Sequence, residues 1–109
     1  MSGGFKDRGK AFENKWAHDE ELRFKVTARR NKLLGLWAAG EMGLSGDTAS
    51  SYAKDVVVAD MAETGDEDVI RKILADFTAK GVTRSDHSIR TKMEELLVVA
   101  GEQVMSEKK

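Results

Sequence analysis

Five cations, Arg23, Lys25, Arg29, Arg30 and Lys32, fall within one ten-residue stretch, and they are the side chains best suited to hold an anion. Lys25, Arg29 and Lys32 recur at i, i+4 and i+7, which is one face of a helix, whereas Arg23 and Arg30 stand seven apart on another. Arginine offers a planar fork to a phosphate and lysine a mobile point charge, so ATP or ADP is the ligand chemistry such a cluster would take. The plainer reading is a solvated helix face whose cations pair with Asp19, Glu20, Glu21 and acids of other helices. That reading is preferred, and nucleotide or phosphate binding is carried as the alternative.

Other chemistry is sparse. The glycines at 35, 40, 43 and 46 do not meet the spacing of a phosphate-cradling or dinucleotide loop. His18 and Glu21, one turn apart, could begin a metal site, but an exposed acidic first turn at a fold boundary accounts for them more simply. His87 beside Asp86 reads as a first-turn residue of a late helix. The serines at 45, 50, 51, 85 and 88 lack the context of an activated nucleophile. Cysteine is absent, which excludes disulfides and thiolate-ligated metals and fits a reducing, cytoplasmic compartment. The expectation is a chain that is not an enzyme and requires no cofactor or metal.

A second set of residues is suited to binding a surface. Phe5, Phe12 and Trp16 fall at i, i+7 and i+11, along one side of a helix, with Lys6, Asp7, Arg8, Lys10, Glu13, Asn14 and Lys15 between them. So narrow an apolar stripe needs a partner to cover it.

The elements that must position these residues are helical. There is no proline, alanine, leucine, lysine and glutamate are frequent, and no alternating strand pattern occurs. The first helix is predicted from about Asp7 or later to about Ala39, with Leu22, Val26, Leu33, Leu36 and Trp37 as its main apolar stripe and Phe24 with Ala28 beside it. Gly40 and Gly43 should close it. The second, about Asp47 to Glu63, presents Ala49, Tyr52, Ala53, Val56, Val57 and Ala59, and Gly65 should end it. The third, about Glu67 to Ala79, has Asp66 as its cap and buries Val69 or Ile70, Ile73, Leu74 and Phe77 before Gly81 stops it. The fourth begins near Thr83 or Ser85 and repeats Ile89, Met93, Leu96, Leu97, Ala100 and Val104.

Short connections between four such helices predict an all-α fold, a small four-helix bundle over residues 19–109. Residues 1–18 would form a mobile amphipathic arm outside the core. The chain has 109 residues and a net charge of −1, but residues 1–32 carry +4 and residues 33–109 carry −5. No apolar run is long enough to span a bilayer, so no membrane insertion is expected. A pI near 6.1 and the lack of a recognition helix argue against nucleic acid.

The segments Phe5-Lys6-Asp7-Arg8, Ala11-Phe12-Glu13-Asn14-Lys15-Trp16-Ala17-His18-Asp19-Glu20-Glu21 and Ala28-Arg29-Arg30-Asn31-Lys32-Leu33-Leu34-Gly35-Leu36-Trp37-Ala38-Ala39 resemble the zeta subunit family of alphaproteobacterial F1Fo-ATP synthases. Ala53-Lys54-Asp55-Val56-Val57 and Lys92-Met93-Glu94-Glu95-Leu96-Leu97 match it more loosely, and the chain departs from it at Gly9 and Trp16. The resemblance implies a four-helix bundle that acts as a natural inhibitor of ATP hydrolysis. It also implies that the partner is the F1 sector, met at a catalytic alpha/beta interface near gamma. Carried over by position, the inhibitory residues would be Phe5, Asp7, Arg8, Ala11, Phe12, Glu13, Lys15 and Trp16. Localisation would then be cytoplasmic, at the membrane-bound synthase, with the free protein monomeric.

Overall fold

In the computed structural model residues 19–62 and 66–107 are described, and the helices are α1 (Glu20–Glu41), α2 (Gly46–Ala62), α3 (Asp66–Ala79) and α4 (Asp86–Glu107). The fold is the expected all-α four-helix bundle.

Each start and stop has a local cause. Asp19 lies in extended backbone at φ −105° and ψ 110°, and its carboxylate accepts from the N–H groups of Glu21 and Leu22 at 3.0 and 3.1 Å. That is an N-cap, with Glu20 and Glu21 placed at the positive end of the helix dipole. It sets the start of the helix expected from about Asp7 or later at Glu20, because no helix passes through an extended Asp19. Gly43, at φ +80°, closes α1 in a double turn in which Leu44 N–H donates to Ala39 C=O at 2.8 Å. Gly81, at φ +74°, closes α3 in the same manner, with Val82 N–H donating to Phe77 C=O at 2.8 Å. Gly40, also expected to help close α1, is an ordinary helical residue. Ser85 caps α4, its hydroxyl accepting from Ser88 N–H at 3.1 Å. The termination expected at Gly65 lies outside the described residues.

α1 is the central element, packed on α2 along one side and α4 along the other, while α3 rests mainly on α2. Being covered twice, it buries two adjacent rows. One is Leu22, Val26, Arg30, Leu34 and Ala38, and the other is Asn31, Gly35 and Ala39. The expected stripe is corrected accordingly: Leu22 and Val26 are buried, Leu33 and Trp37 are half-buried, and Leu36 and Phe24 are exposed. A single-stripe reading passed over Leu34 because Arg30 interrupts its row.

Leu34, Ala38, Val56, Ile73, Phe77 and Ile89 form the middle of the main core, with Trp37 edge-on to Phe77 at 5.9 Å between ring centroids. A smaller cluster of Leu22, Val26, Ala100 and Val104 joins α1 to α4. Each large side chain so buried contributes about 1.5–3 kcal/mol. Gly35 lets α1 and α2 approach: a Cβ there would lie 2.7 Å from Ala53 Cα. In α3 both Val69 and Ile70 are buried, and the stripe expected of α4 is buried or half-buried throughout.

Candidate functional site

The five cations of α1 part company in the structure. Arg23 lies 3.9 Å from Glu20, and Lys25 lies 3.2 Å from Glu21, both on the exposed first turns. Arg29 reaches α4, donating to both carboxylate oxygens of Glu107 at 2.8 and 2.7 Å and to Gln103 Oε1 at 2.8 Å. The Glu107 hydrogen bonds raise the Arg29 pKa further, and they hold the Glu107 carboxyl below its ordinary range, with Lys32 assisting.

Arg30 turns inward and is only 6% exposed. It donates to Asn31 Oδ1 from Nε and Nη2 at 3.1 and 2.7 Å and to Asp66 Oδ1 at 2.9 Å. Asn31, 1% exposed, passes the chain on by donating to Asp60 Oδ2 at 2.9 Å. One row of polar atoms thus ties α1 to the end of α2 and the start of α3. Sequence reasoning missed it by placing Arg30 on a solvated face. The available signal was its position four residues from both Val26 and Leu34.

Other polar ties were also not foreseen. Arg90 of α4 donates to both oxygens of Glu67 on α3 at 2.7 and 2.8 Å and also bonds Asp86. These bonds keep Glu67 and Asp86 below the usual carboxylate range and raise Arg90. Tyr52 donates its hydroxyl to Asp76 at 2.7 Å, with Lys72 Nζ 5.0 Å above its ring, and burial first and this hydrogen bond second raise its pKa.

Three of the five cations do share one place. Lys25, Arg29 and Lys32 line a cleft of about 510 Å³ together with Phe24, Ala28 and Val57. The spacing of four and three that grouped them in the sequence is therefore a real grouping, and Arg23 and Arg30 stand apart from it. A second cleft, of about 670 Å³, lies on the same face and shares Lys32 and Val57 with the first. What this arrangement can do is attract negative charge to an apolar surface; Arg29 already holds one carboxylate there. The aromatic set Phe5, Phe12 and Trp16, with Asp7, Arg8, Ala11, Glu13 and Lys15, lies outside the described residues, as does His18. Among the described residues no group of three or more histidines and carboxylates is arranged to hold a metal ion. No helix among them is long and apolar enough to cross a membrane.

With this geometry in view, a family model described as ATPase inhibitor subunit zeta matches residues 1–103. A solution NMR structure is similar to this chain with a TM-score of 0.70 and 50% sequence identity, over 79% of this chain and 98% of that one. No curated protein matches the sequence.

Proposed function

The chain belongs to the ATPase inhibitor subunit zeta family, and from that membership we propose that it restrains ATP hydrolysis by the F1 sector of an ATP synthase, residues 1–18 acting as the inhibitory arm. The observation that carries this reading is that the family match includes those residues as well as the bundle. Phe5, Phe12 and Trp16 enter a catalytic alpha/beta interface near gamma as one face of a helix, and the bundle remains outside because it is too large to follow. Rotation in the hydrolysis direction is then blocked. The role is regulatory, without chemistry of its own.

Ordering the arm costs about 1–2 kcal/mol per residue in backbone entropy, so the three aromatic anchors dominate the affinity. Lys6, Arg8, Lys10 and Lys15 speed the encounter with an acidic entrance, an effect that fades as salt rises.

The test is steady-state ATP hydrolysis by F1 from the same source, titrated with the full-length chain or with a chain lacking residues 1–18. Inhibition by the full-length chain alone is expected. Full inhibition by the shortened chain would move the active region into the bundle. No effect from either would turn attention to the alternative, nucleotide or phosphate binding, for which the convergence of Lys25, Arg29 and Lys32 on one cleft speaks.

A further inference from the structure

We infer that the α1–α2 face is a second docking surface for F1, a groove that takes an acidic, apolar-faced helical segment of that partner. The inference rests on the inhibitor reading above and concerns which side of the bundle meets the enzyme.

Three of the large apolar side chains that the fold leaves in water lie on this face: Phe24 is 60% exposed, Val58 61% and Leu36 36%. Scattered singly they would need no explanation. Here they border the two clefts that meet at Lys32 and Val57, so the apolar surface is continuous. From Leu22 to Leu36 it follows α1 for about 21 Å at 1.5 Å per residue, the length of roughly four helical turns.

Charge selects the occupant. The first cleft is lined by Lys25, Arg29 and Lys32 with Glu107 as its one lining acid among the described residues; Arg29 holds Glu107 and Lys25 pairs with Glu21, so the cations still outnumber the acids they meet. The second is lined by Lys32 and Lys54 with no acid among the described residues. This cationic lip stands on a chain whose net charge is −1, so it is a local feature and not a general one. Residues 1–18 would be a poor occupant, because Lys6, Arg8, Lys10 and Lys15 outnumber Asp7 and Glu13 and meet like charge. A second copy would bring the same lysines against these. A flat anionic bilayer would touch the lips but not the recessed floor. An acidic, amphipathic helix satisfies floor and rim together.

The test uses the full-length chain carrying Lys32→Glu together with Lys54→Glu, and separately Val58→Gln, in the F1 hydrolysis titration. All three positions are exposed, so thermal melts by circular dichroism should match the wild type. The expected result is a rise of about tenfold or more in the half-inhibitory concentration of the charge-reversed chain, with complete inhibition still reached at saturation. A smaller rise is expected for Val58→Gln, together with a weaker salt dependence for the charge-reversed chain than for the wild type. Wild-type inhibition curves from both variants would overturn the groove while leaving the arm's role standing. A wild-type chain that does not inhibit overturns both readings. Two further outcomes would overturn it in favour of another occupant: a wild-type dimer in sedimentation that the charge reversal dissolves, or wild-type binding to phosphatidylglycerol vesicles that the reversal abolishes.

Discussion

At the scale of single residues, Arg30 and Asn31 have the largest consequences for their surroundings. Asn31 Oδ1 accepts both donors of Arg30 in a site closed to water, and removing the guanidinium leaves that oxygen without its partner. An unsatisfied buried acceptor costs about 1–3 kcal/mol. Arg30→Met should therefore lower stability by about 2 kcal/mol in urea denaturation. Asp66→Asn should cost less, about 1 kcal/mol or under, because the Asp66 side chain is half in water and screened there. Equal losses from the two would mean that the α1–α3 ion pair, and not the Asn31 acceptor, carries the effect. Little of this was legible in the sequence. A cation among four others within ten residues looks like surface, and only the partners supplied by α2 and α3 turn it inward. Where the cluster was legible, for Lys25, Arg29 and Lys32, it was because helical spacing alone brings those side chains together.

At the scale of elements, the helix ends set by glycine were the most readable features, since a left-handed residue at Gly43 or Gly81 is local chemistry, whereas the equally local capping carboxylate at Asp19 was not read from the sequence. Helix faces were less so: the exposed positions of Phe24 and Leu36 follow from α1 being covered by two neighbours, which no single helix records. Two glycines of α1 make this contrast testable. Gly35 meets the backbone of Ala53, so Gly35→Ala must push α2 away. Overpacking of about 1–3 kcal/mol should outweigh the roughly 1 kcal/mol that alanine gains in helix propensity. Beyond its chain neighbours and its own helix backbone, nothing lies within 4 Å of where a Gly40 Cβ would sit, so Gly40→Ala should gain up to about 1 kcal/mol. Thermal melts of the two variants should move in opposite directions, and a rise for both would show that α1 and α2 can separate without loss.

At the scale of the whole molecule, two arginines hold α4 near both ends: Arg90 with Glu67 and Asp86, and Arg29 with Glu107. The three carboxyls titrate below their ordinary range in the folded chain and near about 4 in the unfolded one. The unfolded state therefore binds more protons on acidification. The stabilisation is fully present above the unfolded value and is lost as pH falls through the lower folded values. Urea midpoints should fall between about pH 6 and about pH 3, and Arg90→Gln should be destabilised at the upper end yet converge with the wild type at the lower. A constant gap across that range would mean that these ion pairs do not set the acid response. The four-helix architecture was legible because patterning and turn chemistry agree along the chain, whereas the ties between α3 or α1 and α4 join residues far apart in sequence and were not.

The cap at Asp19 also bears on how tightly a partner can be gripped. Asp19 opens the bundle where the proposed arm of residues 1–18 leaves off, and Leu22, the first residue to line the groove, follows three positions later, a span of no more than about 10 Å. If the arm and the groove both engage F1 as proposed, attachments so closely joined act as a bivalent ligand. Once either one is engaged, the other is presented at an effective concentration in the millimolar range, and two individually weak contacts hold as one strong one.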